Sequence, residues 1–209
     1  MKFKFYAVKL SGIIVLVFLA QLFISGFTNL FILNELSWQQ PWRFVTSIFL
    51  HGGLAHLVLN LFALLLFGSI LEKLINSKRF FIVFFITGIL ANLISMNFYS
   101  SSLGASGAIF GIIGCLIFVR PMMTIWAFGM PMPLFLAGIL WAGADLLGTY
   151  GFFTGNPIDN TGNIAHLSGM LFGLIFGYFY RKNLVRKRKV NVSLDEGQVR
   201  NWERTWMRS

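Results

Sequence analysis

Long apolar runs recur along the whole chain, and they constrain its fold more than any other feature. Six runs are each long enough to cross about 30 Å of hydrocarbon as a helix. They cover 11–33, 54–73, 79–98, 104–120, 130–150 and 162–181. A membrane admits only helices and closed barrels, because every backbone polar group there needs a partner within the protein. The runs therefore predict an all-α protein with six transmembrane helices.

Composition argues against a water-soluble domain. The chain is 56% hydrophobic and 11% charged, whereas soluble domains carry about 25% charged residues. A net charge of +10 would indicate nucleic-acid binding in a soluble protein. Here the basic residues flank apolar runs, which is typical of membrane topology and of contact with anionic lipids. We therefore expect membrane lipids as partners and no nucleic acid.

The distribution of Lys and Arg sets the expected orientation. If the N-terminus is cytoplasmic, the inner segments hold nearly all basic residues and the outer loops hold only Arg43. The first run is longer than the core of a signal peptide and lacks a clear cleavage site, so we interpret it as a retained span. The prediction is a bundle with both termini in the cytoplasm, and we expect the cell membrane as its location.

The connections between runs are short, and no linker divides them. We predict one membrane domain over 1–181 and a basic cytoplasmic tail over 182–209. The tail lies on the inner membrane face or is solvated and partly disordered, and the second alternative is favoured.

Three polar residues converge at one depth in the predicted bundle. His56, Ser106 and His166 lie near the starts of the second, fourth and sixth runs, which all begin at the outer face in this orientation. Polar and ionisable groups in a bilayer are costly and usually face the bundle interior. We therefore expect one polar site just below the outer surface.

Regularly spaced glycines bring two of these runs together. Intervals of three or four residues keep small side chains on one helix face, so that backbones approach closely. The glycines with this spacing are Gly107, Gly111 and Gly114 in the fourth run and Gly169, Gly173 and Gly177 in the sixth. Because His166 lies three residues before Gly169, it shares that face. The spacing predicts that Ser106 and His166 come within hydrogen-bonding reach.

The same residues have the chemistry of acyl transfer. Ser106 opens the fourth run within Gly104-Ala105-Ser106-Gly107, so it lies at a helix N-terminus, where free N–H groups favour negative charge. A serine hydroxyl needs an adjacent base, and His166 can serve as general base and then as general acid.

Acyl transfer also needs donors for an oxyanion. His56 and Asn60 share a helix face at the i, i+4 spacing, and the Ser106 amide is a third candidate. No acidic residue is obviously placed to orient His166, so we predict a Ser–His dyad. Asp145, near the outer end of the fifth run, is interpreted as structural. No ligand cluster has metal spacing, so neither a metal nor another cofactor is expected.

Taken together, these motifs resemble the rhomboid intramembrane proteases over about 41–181. The matching residues are Trp42-Arg43, His56-x-x-x-Asn60, Gly104-Ala105-Ser106-Gly107 and Ala165-His166-x-x-Gly169-x-x-x-Gly173. The resemblance implies six helices around a water-filled cavity open to the outside. It also implies a catalytic dyad at Ser106 and His166, with an oxyanion hole of His56, Asn60 and the Ser106 amide.

Further implications concern the substrate and the periphery of the site. Substrates would be single-span membrane proteins cut in or near the span. The resemblance assigns Trp42 and Arg43 as structural anchors of a membrane-embedded first loop, and the fifth run, 130–150, as a proposed substrate gate. Phe110 departs from the tyrosine that many bacterial members have, so its ring is expected to pack against His166 without a hydroxyl role.

Three other functions remain open. A catalytically inactive rhomboid-like protein would bind membrane clients, but such relatives typically lack the serine or the histidine, and this chain has both. A transporter would often show repeats and a midplane charged site, neither of which is evident. A lipid-directed acyltransferase would use the same Ser106 and His166.

Overall fold

The computed structural model describes residues 4–156, 158, 161–187 and 195–207, excluding the side chains of 182–187. Its long helices are α1 (Tyr6–Phe23), α4 (Leu54–Ala63), α5 (Ser69–Ile75), α6 (Ser77–Ser95), α7 (Ser106–Val119), α8 (Leu134–Phe153) and α9 (Asn163–Lys187). The shorter helices are α2 (Phe27–Phe31) and α3 (Arg43–Thr46). Helix α10 (Glu196–Trp206) follows near the end of the chain. A π-helical segment, Leu64–Gly68, joins α4 and α5 into one helix.

Two short antiparallel strand pairs lie in the connections. β1 (Leu33–Asn34) pairs with β2 (Ser101–Ser102), and β3 (Thr124–Ala127) pairs with β4 (Met130–Pro133). Neither pair is apparent from the sequence. Residues 130–133, predicted to begin the fifth span, are strand instead, and the helix begins at Leu134.

Four helices in the described part of the chain are long and apolar enough to cross a membrane. They are Tyr6–Phe23, Leu54–Ile75, Ser77–Ser95 and Leu134–Phe153. Helix α7 is apolar but has only 14 residues, about 21 Å at 1.5 Å per residue. Helix α9 has 25 residues and contains nearly all of the predicted sixth run.

The predicted bounds of the first span, 11–33, are wrong. Helix α1 ends at Phe23, Ile24 is extended, and Gly26 has a φ of 77°, a left-handed conformation that favours glycine. The apolar residues that follow form α2 and β1 instead of continuing the helix. The guanidinium of Arg43 holds this segment by donating to the carbonyl oxygens of Asn29 and Ile32 at 2.9 and 2.8 Å. Hydropathy does not distinguish such an apolar loop from a span.

Helix α1 runs antiparallel to the single helix that α4 and α5 form. The start of α1 lies at the end of α5, where Glu72 accepts hydrogen bonds from the amides of Tyr6 and Ala7, both at 3.1 Å. The other end of α1 lies at the start of α4, where the amide of His51 donates to Gln21 Oε1 at 2.9 Å.

Helices α7 and α9 run parallel and touch through their backbones. A Cβ added at Gly169 would overlap the carbonyl of Gly107, and one at Gly173 would overlap that of Gly111. Further along, a Cβ at Gly177 would lie 2.6 Å from the oxygen of Cys115. This confirms the contact that the glycine spacing predicts, and it aligns the beginnings of the two helices.

In the predicted tail, residues 182–187 continue α9, and Glu196–Trp206 form the exposed helix α10. Trp202 and Trp206 are exposed on it, and Arg200 forms an ion pair with Glu196 at 2.9 Å. The rest of the predicted tail lies outside the described side chains.

Candidate active site

Ser106 is the first residue of α7, and the loop before it is tightly fixed. Ala105 supplies no side-chain cap, so the first amides of α7 have no intrahelical acceptor. Gly104 has a φ of 127°, which favours glycine, and its amide donates to the Ser47 carbonyl at 2.9 Å. The uncapped first turn of α7 thus begins at a half-buried serine.

The ring of His56 packs against this loop. A Cβ added at Gly104 would lie 2.8 Å from His56 Cε1, 2.9 Å from His56 Nε2 and 3.8 Å from Ser106 Oγ. Only glycine leaves room for the imidazole so close to the serine. The Gly52 amide donates to His56 Nδ1 at 3.4 Å, which favours the neutral tautomer with its hydrogen on Nε2. The ring edge of His56 that lies against Gly104 is thus a hydrogen-bond donor.

Asn60 lies one turn further along α4 and is buried. One hydrogen of its amide nitrogen is donated to the His56 carbonyl at 2.8 Å. A carboxamide nitrogen has two hydrogens, so the second can donate to another acceptor.

His166 lies in the first turn of α9, beside the first turn of α7. Its ring stacks on that of Phe110 with centroids 4.3 Å apart and an interplanar angle of 5°. A Cβ added at Gly107 would lie 3.5 Å from the carbonyl oxygen of Ala165. The predicted serine and histidine therefore occupy adjoining turns of two touching helices.

No hydrogen bond joins Ser106 Oγ to His166 among the described residues. The Nε2 atom of His166 also makes none there, and it retains some exposure to solvent. In enzymes without a bound substrate, catalytic hydrogen bonds are often long and become shorter only in the complex.

Asp145 of α8 lies against His166, a contact that the sequence pattern does not predict. Its Oδ1 is 3.0 Å from His166 Nδ1, and both side chains are largely buried. The expectation that no acid is placed to orient His166 is therefore wrong. Helix α8 runs antiparallel to α9, and Gly148 lets the carboxamide of Asn163 approach α8 closely. The sequence places Asp145 near the outer end of the fifth run, but it does not indicate in which direction the side chain points.

His51 is fixed to its own loop. It is 2% exposed, its Nδ1 is 3.2 Å from the Phe49 carbonyl, and its ring centroid is 5.0 Å from that of His56. Burial and, secondarily, the neighbouring His56 lower the pKa of His51 to about 4, so it is neutral at pH 7. These contacts agree with a structural role in the loop.

The two predicted loop anchors differ in their surroundings. Arg43 is 4% exposed, and besides its two carbonyl contacts its Nε donates to Gln40 Oε1 at 2.6 Å. Trp42 is half exposed.

The structure also bears on metals and cavities. Within the described residues, no group of three or more His, Cys, Asp or Glu is arranged to hold a metal. A cavity of about 310 Å³ lies beside 21–29, and one of about 550 Å³ lies between the end of α7 and α5. Neither is lined by Ser106 or His166.

Comparisons with known proteins give concordant matches. The model of the Rhomboid domain matches residues 38–183. Rhomboid protein 1, mitochondrial, of Saccharomyces cerevisiae is 30% identical over 69% of this chain and 43% of its own length. Rhomboid protease GluP of Bacillus subtilis is 37% identical over 63% and 25%, respectively. Rhomboid-like protease 3 of Toxoplasma gondii is 34% identical over 69% and 54%. The chain thus spans about half, or less, of the length of these proteins.

Proposed function

Because the chain belongs to the rhomboid family, we propose that it is an intramembrane serine endopeptidase that cleaves transmembrane segments of membrane proteins. It is a multi-pass membrane protein with several apolar helices. One observation carries the proposal: Phe110, one turn after Ser106, stacks on the ring of His166. This contact supports a common site for the nucleophile and the base.

In the proposed reaction, Ser106 and His166 form the catalytic dyad. Ser106 Oγ attacks the scissile carbonyl carbon while His166 Nε2 takes the hydroxyl proton. The tetrahedral intermediate collapses to an acyl-enzyme as His166 returns the proton to the leaving amine. A water molecule then attacks the ester carbonyl while His166 takes its proton. As the ester bond breaks, His166 gives this proton to Ser106 Oγ, and the acid product leaves.

The oxyanion would be held by His56, Asn60 and the amide of Ser106. Three features support this assignment: the donor tautomer favoured for His56, the second amide hydrogen of Asn60, and the uncapped start of α7. Such donors stabilise the charge that develops in the transition state. No metal or cofactor has a step in this mechanism.

We further propose six membrane spans with both termini in the cytoplasm. The spans would be α1, α4–α5, α6, α7, α8 and α9. A helix of 14 residues is shorter than the hydrocarbon layer, so α7 would begin below the outer surface, and water would reach Ser106 from outside. The membrane domain would cover 1–181 and the cytoplasmic tail 182–209.

Single-span membrane proteins are the proposed substrates, and lipids surround the protein. Relatives include proteins named as mitochondrial and chloroplastic. For this chain we propose the cell membrane, which imaging of the tagged protein would test.

The test is cleavage of a panel of single-span substrates by purified protein in liposomes. Wild type should yield a discrete product and react with a fluorophosphonate probe, whereas Ser106→Ala should do neither. His166→Ala should also abolish cleavage. Ser168→Ala is a matched control, because within the described structure the Ser168 hydroxyl donates only to carbonyls of its own helix. Folded wild-type protein that neither labels nor cleaves would favour the client-binding alternative.

A further inference from the structure

An acid and the proposed base meet at the contact between α8 and α9. Asp145 Oδ1 lies 3.0 Å from His166 Nδ1, in a pair whose side chains are 9% and 12% exposed. We propose that Asp145 is a positioning residue, which holds His166 in the tautomer and orientation that reaction with Ser106 requires. The inference rests on the proposed function and adds a third residue to the dyad.

The hydrogen bond determines which ring nitrogen is the base. A carboxylate only accepts hydrogen bonds, so in the proposed pair the hydrogen is on His166 Nδ1 and points to Asp145 Oδ1. The lone pair of the neutral ring is then on Nε2, the atom that retains solvent exposure. A buried aspartate fulfils this role in other serine hydrolases.

Stacking alone does not orient the ring. The contact with Phe110 fixes the plane of the imidazole, but a half-turn about the Cβ–Cγ bond keeps that plane. Such a turn exchanges the positions of Nδ1 and Cδ2 and moves Nε2 away from its place. The bond to Asp145 favours one of the two orientations. Phe110 and Asp145 together therefore determine where the lone pair points.

A purely structural role explains the pair less well. The Oδ2 atom of Asp145 is buried without a hydrogen-bond partner in the described structure, which is unfavourable for stability. Glu72, the other buried acid among the described residues, accepts a hydrogen bond from one backbone amide with each oxygen. Burial of Asp145 is thus incompletely compensated, as expected where a group is retained for reactivity.

The first experiment measures turnover. In Asp145→Asn the amide can donate to Nδ1 and stabilise the wrong tautomer. We expect kcat for a model substrate to fall at least about tenfold, and at most about 10⁴-fold as for other serine hydrolases, with KM nearly unchanged. Probe labelling of Ser106 should slow in parallel. Asp145→Glu, which keeps the carboxylate, should recover part of the loss.

Glu72→Gln is the matched control, because it makes the same carboxylate-to-amide change at a buried site away from His166. It should lower the unfolding temperature and leave kcat of the folded enzyme unchanged. Equal kcat in Asp145→Asn and wild type would overturn the inference.

The second experiment does not depend on activity. The chain has only 3 histidines, so ¹⁵N signals of labelled protein are readily assigned. In wild type, His166 should be protonated on Nδ1, and in Asp145→Asn this tautomer should no longer predominate. Wild-type protein with Nε2 protonated would refute the positioning role even if nothing is cleaved. If wild-type His166 is protonated on Nδ1 but the protein never cleaves a substrate, the positioning role stands and only the proposed function fails.

Discussion

Helix α9 packs against α7 and α8 in two different ways. Against α7 the contact is backbone to backbone, and glycines leave no space for a methyl group. Against α8 it depends on side chains, notably Asp145 with His166. Nine of the 14 residues of α7 are buried, but only six of the 20 in α8. Ser106 and His166 thus belong to a rigid interface, whereas Asp145 belongs to a more loosely packed helix.

This difference separates two requirements of the proposed reaction. The α7–α9 interface sets the distance between the backbones of nucleophile and base. The α8–α9 contact sets the orientation of the base. The family resemblance assigns α8 to the substrate gate. A displacement of α8 would disturb the orientation of His166 and leave the distance between the backbones of Ser106 and His166 intact.

The largest expected effect comes from adding one methyl group to the rigid interface. Gly173→Ala places a Cβ onto the Gly111 carbonyl, and overpacking against backbone should destabilise the protein by about 3 kcal/mol or more. Gly143→Ala is the matched change in α8, where nothing lies within 4 Å of the added Cβ. Its effect should stay within about 1 kcal/mol. Unfolding in detergent measures both, and equal losses would contradict the comparison.

Removing a proposed oxyanion donor of α4 should have the next largest effect. We expect Asn60→Ala to lower kcat/KM by about 100-fold, equivalent to about 3 kcal/mol of transition-state stabilisation. Asn97→Ala is the control, because Asn97 is exposed in the turn after α6 and, in the described structure, its side chain donates only to carbonyls at the end of α6. Similar kinetics of the two variants would argue against the oxyanion assignment.

Removing the ring of Phe110, which stacks on His166, should have a smaller effect. Phe110→Leu removes the stacking contact, worth about 1 kcal/mol, and should slow probe labelling of Ser106 roughly tenfold or less. Phe110→Tyr keeps the ring and should label nearly as fast as wild type. Phe118→Leu alters another phenylalanine of α7, which contacts Tyr178 instead, and serves as control. Unimpaired labelling of Phe110→Leu would show that stacking does not position the base.

The smallest expected difference needs no mutation. Regions with fewer buried contacts open more easily, so amides of α8 should exchange hydrogen severalfold faster than those of α7. Mass spectrometry of peptides from the two helices measures this in one sample. Slower hydrogen exchange in α8 than in α7 would contradict the interpretation of α8 as the more loosely packed helix.

Some of these properties follow from the sequence alone. The length of each apolar run predicts where a helix lies, because a bilayer requires about 20 residues per span. The positions of His56, Ser106 and His166 within their runs predict a shared depth. The glycine spacing in α7 and α9 predicts their close contact. Intervals of three or four residues place small side chains on one helix face, and such intervals can be read directly from the sequence.

Other properties depend on the tertiary structure. The end of α1 at Phe23 depends on a turn at Gly26 and on carbonyl contacts with Arg43, which the hydropathy of 24–33 does not indicate. The pairing of Asp145 with His166 depends on how α8 is rotated about its axis. Lipid is as apolar as a packed helix interface, so apolar residues cover both faces of α8, and the sequence does not distinguish inside from outside. The apolar pattern therefore indicated where most of the helices lie, and packing decided where some of them end and which polar side chains meet.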